Sequence, residues 1–222
     1  MGYETIEITP MTPRIGAEVS GIDLTESLGN QQFQELHDAL MEHSVLFFRN
    51  QDVDVEQHKN FGRLFGDLHI HPGSPPPPGH PEILIVHADK DSKHIAGENW
   101  HSDVTCDAEP PMGSILHLWE VPESGGDTLF ASMEAAYDDL SERMKIYLDG
   151  LNATHSGEQI YRGRYNNQKH DDTNVTYPRN VHPVVRTHPV TGRKSIFVNK
   201  TFTTHINEIP KAESDSVLAF LY

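Results

Sequence analysis

Residues 182–199, HPVVRTHPVTGRKSIFVN, contain two short runs rich in β-branched and other apolar residues on either side of a turn at Thr191-Gly192. Runs of this kind bounded by glycine turns predict two β-strands. Comparable runs lie elsewhere in the chain, at 3–8, 44–48, 82–87, 113–121 and 127–131. Many short strands with turn residues between them, accompanied by a few helices, favour a mainly β fold with helical decoration, as in a β-sandwich or jelly roll.

Five helices accompany these strands in the sequence pattern. One follows from an apolar stripe that begins at Asn30. Three more begin at residues typical of helix N-caps: Asp54 (with Gln57 as its capping-box partner), Ser132 and Ser141. The segment 211–222 opens like a capped helix but has no polar last turn, which indicates a chain that stops inside a helix.

Composition restricts the classes of function. The chain has 222 residues and a formal net charge of -16, which disfavours nucleic acid or an anionic membrane surface as a partner. No repeat or linker divides the sequence, so we expect a single domain over 1–222. The N-terminus has no apolar signal-peptide core, and a single cysteine, Cys106, fits a reducing compartment. We therefore expect a cytoplasmic protein.

The stretch NWHSDVTC (99–106) carries the chemistry. In a strand, residues i and i+2 point to the same face, so His101 and Asp103 would aim at one point. Two histidines and one carboxylate on one face form the ferrous site of non-haem oxygenases. The alternative is that His101 and Asp103 only share a hydrogen bond, because the spacing also occurs by chance.

The stretch 99–140 closely resembles the TauD/TfdA family, the taurine-dioxygenase-like enzymes that use Fe(II) and 2-oxoglutarate. The segments RIGAEVSGIDL, HSVLFFRNQ, FGDLHIHP, HPVVRTHPVTGRKSIFVNKTFTTHI and SVLAFLY follow the family in the expected order. The resemblance covers essentially the whole chain. It implies a double-stranded β-helix that is incomplete at the C-terminus, because the family's members continue through a WDNR…H segment and an arginine-containing last strand.

The resemblance also implies a role for individual residues. His101 and Asp103 match two iron ligands, which makes them the predicted catalytic pair, and Thr128 matches the hydroxyl that binds the 2-oxoglutarate carboxylate. Three residues match the substrate pocket: His71, which would contact a sulfonate, and Val104 and Phe202, which would form its walls.

Three positions depart from the taurine pattern. Ser74 stands where the family has a tyrosine, Gly97 where it has an asparagine, and Tyr161 where it has a phenylalanine. Each change alters a substrate contact, so a larger sulfonate, a sulfate ester or a carboxylate becomes a candidate beside taurine.

The third iron ligand, a histidine, and the carboxylate-binding arginines lie beyond the family positions that this chain contains. His182 and His188 match histidines that relatives possess in addition to that ligand, and His117, His155 and His205 stand alone in the sequence. We therefore assign no third ligand among the 222 residues.

The resemblance implies that the protein hydroxylates the carbon next to a sulfonate, sulfate ester or similar anionic group with O2. It thereby converts 2-oxoglutarate to succinate and CO2 and its substrate to an aldehyde. Two alternatives stay open, a non-catalytic jelly-roll protein that binds a small acid or a metal, and an inactive truncated fragment. Nothing in the sequence fixes the assembly, so a homo-oligomer also stays open.

Overall fold

The computed structural model describes residues 2–71, 76–92, 97–162 and 176–222. The chain divides into two compact units. Unit 1 comprises Met1–Leu68, Ile115–Asp138 and His188–Arg193, and unit 2 comprises His69–Ser114, Asp139–Thr187 and Lys194–Tyr222.

Unit 1 contains a three-stranded sheet and three helices among its described residues. The elements are β1 (Glu7–Pro10), β2 (Ala17–Ser20), α1 (Asn30–His43), β3 (Leu46–Phe48), α2 (Val55–Arg63) and α3 (Met133–Asp138). β1 and β2 pair antiparallel, and β2 and β3 pair parallel. The core of unit 1 forms around four buried residues, Ile6, Val19, Leu36 and Phe61.

The helices of unit 1 begin where the sequence predicts. The Asp54 side chain accepts a hydrogen bond from the Gln57 backbone N–H, and the Gln57 side chain accepts one from the Asp54 backbone N–H, each at 2.8 Å. This reciprocal pair is the predicted capping box, and it satisfies two donors that a helix start leaves unpaired. Ser132 likewise caps α3 through the Ala135 N–H.

Unit 2 contains two small sheets and three helices among its described residues. The elements are α4 (Glu142–Leu148), β4 (Asn152–Ser156), α5 (Glu158–Tyr161), β5 (Arg179–Pro183), β6 (Val185–Thr187), β7 (Lys194–Ile196), β8 (Thr203–Ile206) and α6 (Lys211–Leu221). β4 lies between β5 and β8, and β6 pairs antiparallel with β7. The predicted Ser141 cap of α4 is confirmed, since its hydroxyl accepts from the Met144 N–H.

Three predicted strands, at 82–87, 113–121 and 127–131, are wrong in the described structure. These segments have no regular structure, and their apolar side chains are exposed, as at Trp119 and Leu129, which are 71% and 70% exposed. Alternating apolar residues can form a strand only where another strand accepts the backbone hydrogen bonds. These segments pair with no strand among the described residues.

Two further expectations need smaller corrections. The strand predicted from Tyr3 begins only at Glu7, and the run 44–48, predicted to be buried, forms a half-buried strand. Within the described ranges, every helix falls short of the length and apolar character that a membrane span requires.

Candidate metal centre

His101 and Asp103 come together in unit 2. His101 Nε2 lies 3.2 Å from Asp103 Oδ1. The predicted strand at this position is wrong, because residues 103–106 form a turn, closed by a hydrogen bond from the Asp107 N–H to the Val104 carbonyl. The side chains therefore converge because the backbone curls. We call residues 99–107 the His-x-Asp turn.

Two hydrogen bonds orient the His101–Asp103 pair. His101 Nδ1 lies 2.7 Å from the Asn99 carbonyl oxygen, and since a carbonyl only accepts, Nδ1 carries the proton. Nε2 then presents its lone pair toward Asp103 whenever the ring is neutral. The Ser114 hydroxyl donates to Asp103 Oδ2, which leaves Oδ1 on the side of the histidine. One nitrogen and one oxygen thus converge, and both would offer a lone pair to a shared cation when the His101 ring is neutral.

His101 and Asp103 shift each other's pKa. The hydrogen bond to Asp103 raises the pKa of His101 above its ordinary value, against the opposing effect of burial. The hydrogen bond from His101, followed by that from Ser114, lowers the pKa of Asp103. The charge of His71 lowers it further. Both shifts favour an imidazolium beside a carboxylate, which is a state that a divalent cation would replace.

The end of the His-x-Asp turn is anchored by side chains of unit 2. Asn180 Nδ2 donates to the Cys106 carbonyl at 2.7 Å, and His182 Nε2 donates to the Asp107 carbonyl at 2.9 Å. His69 Nε2 donates to Asp107 Oδ2, also at 2.9 Å. The backbone of a turn has few partners of its own, so these bonds satisfy its polar groups and fix its course.

A buried polar cluster holds the middle of the turn. Thr105 Oγ1 lies 2.9 Å from His155 Nδ1 on β4 and accepts from Asn199 Nδ2 at 3.1 Å. Thr105 and His155 are both fully buried. Burial, together with the nearby His182, lowers the pKa of His155 to about 4. His155 is therefore neutral at physiological pH.

Val104 has an unusual backbone. Its φ is +47°, in the left-handed region, where a branched residue is strained. The anchors on Thr105, Cys106 and Asp107 hold this conformation in place. The Val104 side chain is buried.

Four residues that the sequence predicts for the substrate pocket lie close together: Val104, Tyr161, Phe202 and His71. Val104, Tyr161 and Phe202 pack together with Cys106 in a buried group. The His71 ring meets the Tyr161 ring edge to face, with centroids 5.7 Å apart. The cluster is packed side chain against side chain and adjoins Asp103 directly in sequence.

A glycine makes the close packing of Tyr161 feasible. A Cβ atom at Gly157 would lie 2.6 Å from Tyr161 Cε2, well inside contact distance. The Tyr161 ring lies against bare backbone at this point, which only glycine supplies.

The remaining predicted residues have different surroundings. Gly97 has a φ of +83°, and a Cβ atom there would lie 3.6 Å from His101 Cε1, so this position borders His101. Thr128 belongs to unit 1 and is exposed. Ser74 lies outside the described residues.

A cavity of about 470 Å³ opens elsewhere on unit 2. It is lined by Ser156, Glu158, Gln159, Arg162, Arg179, Thr204 and His205, none of which is a predicted site residue. Arg162 forms an ion pair with Glu158 across one turn of α5. The predicted site is therefore a packed cluster around a turn, and it shares no residue with the lining of this cavity.

Two other histidines, His117 and His188, accept hydrogen bonds from nearby residues. His117 accepts from Trp119 Nε1, and His188 accepts from the backbone N–H groups of its own hairpin turn. Across the described ranges, no group of three His, Cys, Asp or Glu side chains converges on a point that could hold a metal ion. A second His-x-Asp sequence, His87 and Asp89, also pairs, at 3.4 Å, but the His87 side chain is 74% exposed.

Sequence reasoning missed the residues that hold the turn. Thr105, His155, Asn180 and Asn199 carry no motif, and their contacts join positions 50 or more apart. The one available indication is that Thr105 follows Asp103, a predicted ligand, by two residues.

The chain is similar to proteins of one family along nearly its whole length. The family model described as "Taurine catabolism dioxygenase TauD, TfdA family" matches residues 7–222. The Saccharomyces cerevisiae protein named alpha-ketoglutarate-dependent sulfonate dioxygenase is 34% identical over 98% of this chain and 55% of its own length. The chain thus spans about half the length of that relative.

Two bacterial proteins are also similar to nearly the whole chain. The protein of Acinetobacter baylyi named alkylsulfatase is 38% identical over 98% of this chain and 69% of its own length. A solved structure described as a taurine dioxygenase from Burkholderia xenovorans superposes with a TM-score of 0.76 at 29% identity, covering 98% of this chain and 72% of that one.

Proposed function

The chain belongs to the TauD/TfdA family of taurine catabolism dioxygenases, and we propose on that premise that it acts as an Fe(II)- and 2-oxoglutarate-dependent dioxygenase. The observation that carries the proposal is the convergence of His101 Nε2 and Asp103 Oδ1 at 3.2 Å. The fold we propose is the family's double-stranded β-helix, and the family match over 7–222 supports one domain.

The donor set fits a ferrous ion. Two ligands that each lie about 2.1 Å from one ion, at right angles, are about 3.0 Å apart. The 3.2 Å between His101 and Asp103 agrees with this value. An imidazole and a carboxylate are ligands that Fe(II) accepts, and the family's third ligand, a histidine, would complete the site. When bound, the ion would supply the oxidising chemistry that hydroxylates a C–H bond, with O2 as the oxidant and 2-oxoglutarate as the donor of two electrons.

The residues of the chain have preparatory roles in this proposal. The Asn99 carbonyl fixes the His101 tautomer, and the Ser114 hydroxyl holds Asp103, so both ligands are oriented before the ion arrives. Thr128 would hold the distal carboxylate of 2-oxoglutarate through its hydroxyl. Tyr161 and Phe202, which pack with Val104, would exclude water from the reacting carbon.

The substrate class we propose is a sulfonate, a sulfate ester or a similar anionic organic molecule. His71 supports this class, because an imidazole beside the site can donate a hydrogen bond to a sulfonate oxygen. The names of the yeast and Acinetobacter relatives point to the same chemistry. The departures at Gly97, Tyr161 and Ser74 favour a substrate other than taurine itself. The single cysteine supports a cytoplasmic location.

The test is anaerobic addition of Fe(II) and 2-oxoglutarate to the purified chain. A visible charge-transfer band is expected, and His101→Ala should abolish it. The matched control is His87→Ala, which removes a histidine with the same sequence spacing to an aspartate but in an exposed position. A band that survives in His101→Ala, or is lost in His87→Ala, would overturn the assignment.

Turnover separates the proposal from its alternative. Succinate release in air, measured with a panel of sulfonates, sulfate esters and carboxylates, should exceed the release without substrate for at least one member. Metal and 2-oxoglutarate binding with no release for any of them would favour a non-catalytic binding protein.

A further inference from the structure

Thr105 lies two residues beyond the ligand Asp103 and is fully buried. Its hydroxyl lies 2.9 Å from His155 Nδ1 and 3.1 Å from Asn199 Nδ2. These contacts tie the His-x-Asp turn to β4 and to the segment after β7. They are the side-chain hydrogen bonds that lie nearest in sequence to Asp103 on its C-terminal side.

The His155 ring is itself held in place. It stacks on Phe197, with centroids 5.8 Å apart and planes 29° apart, and meets His182 edge to face at 5.3 Å. His182 in turn donates to the Asp107 carbonyl. Two rings in mutual contact thus fix two points of the same turn, at Thr105 and at Asp107.

A packing role alone does not account for a histidine at position 155. Its Nε2 is buried and has no hydrogen-bond partner among the described residues. An orphaned buried polar atom costs roughly 1–3 kcal/mol. A phenylalanine would stack on Phe197 without that cost, but it would lose the hydrogen bonding of Nδ1, whose nearer partner is Thr105 Oγ1 at 2.9 Å and whose farther one is Thr203 Oγ1 at 3.5 Å.

We propose that Thr105 and His155 are positioning residues for the metal centre: their hydrogen bond fixes the turn so that His101 and Asp103 converge, and it thereby sets the affinity for a divalent cation. This inference rests on the proposed function, because it assumes that His101 and Asp103 bind the ion. Outer partners of metal ligands commonly change metal affinity by about 10- to 100-fold when removed.

The test compares Thr105→Val, which keeps the shape but removes the hydroxyl, with Thr105→Ser, which keeps the hydroxyl. Mn²⁺ serves as the probe, and its dissociation constant is measured from the electron paramagnetic resonance signal of the free ion. We expect Thr105→Val to weaken binding by about 10-fold or more, and Thr105→Ser to restore it to within about 2-fold of wild type.

Thr154→Val is the matched control. Thr154 is a buried neighbour of His155 on β4, and its hydroxyl donates to Asn207 Oδ1, which is outside the His-x-Asp turn, at 2.8 Å. It should destabilise the fold about as much as Thr105→Val, at roughly 1 kcal/mol for a lost hydrogen bond, and leave Mn²⁺ affinity unchanged.

The outcomes separate this inference from the proposed function. Wild-type affinity in Thr105→Val, or equal weakening in Thr154→Val, would overturn the positioning role. Wild-type affinity in His101→Ala would overturn the metal site itself. Loss in His101→Ala with no loss in Thr105→Val would leave the proposed function standing and refute only the positioning role.

Discussion

Acid should destabilise this protein partly through one buried imidazole. The pKa of His155 falls from 6.5 to about 4, mainly because of burial. Above pH 6.5 the ring is neutral in both the folded and the unfolded chain. As the pH falls below 6.5 the unfolded chain binds the proton first, so the free energy of unfolding decreases until the folded chain also binds it near pH 4.

The size of this effect follows from the two pKa values. One pKa unit corresponds to about 1.4 kcal/mol. The contribution of His155 to the free energy of unfolding should therefore fall by about 3 kcal/mol between pH 7 and pH 4. His155→Phe removes the titrating group and keeps a ring that can stack on Phe197. The stability of this variant should improve relative to wild type by that amount over the same range.

The assay is urea unfolding followed by circular dichroism at fixed pH values from 7 to 4, for wild type and His155→Phe. Other titrating groups contribute equally to both proteins and cancel in the difference. Thr154→Val is the control, because it removes a neighbouring buried hydrogen bond without a titrating group and should shift the curve equally at every pH. A constant difference between wild type and His155→Phe from pH 7 to pH 4 would refute the reasoning.

Three other predictions concern the local structure. Asp54→Ala should lower the free energy of unfolding by about 1 kcal/mol in urea titrations, because it removes the capping box of α2. Cys106, fully buried and with its pKa raised to about 11 by burial and the charge of Asp107, should react with iodoacetamide only after unfolding; rapid labelling of the folded chain would contradict its burial. Gly157→Ala should cost about 1–3 kcal/mol by displacing Tyr161, whereas Gly113→Ala, which enters open space, should not.

Features determined by nearby residues were predictable from the sequence. The Asp54–Gln57 capping box and the Ser141 cap each join residues three apart, so the sequence contains both partners. The β6–β7 hairpin turns through Thr191-Gly192, as its glycine predicts, and Gly192 has a φ of +70°. Local chemistry decides these features, and distant packing does not override it.

Features that depend on residues distant in the sequence were not predictable. The segments at 113–121 and 127–131 have the alternation of strands but no strand partner in the described structure. Alternation states which side chains a sheet would bury, but not whether a sheet is available. For the same reason the strand predicted for His101 and Asp103 is a turn, although their convergence survives through a different backbone.

The residues of the candidate site show the same difference between local patterns and distant contacts. Val104, Tyr161 and Phe202 were predicted by resemblance and lie together. The contact between Thr105 and His155 was not predicted, because a hydrogen bond between residues 50 positions apart leaves no spacing pattern. Sequence motifs identify the side chains that would contact a ligand. The side chains that fix their positions can be identified only from the three-dimensional structure.

The left-handed backbone of Val104 reverses the usual rules of substitution at that position. Glycine, which weakens most sites, would relax the peptide here, while every branched replacement inherits the same torsional burden. Glycine would, however, delete the side chain that packs against Phe202. A substitution at residue 104 therefore either relaxes the main chain or keeps the buried cluster filled, and few residue types can do both.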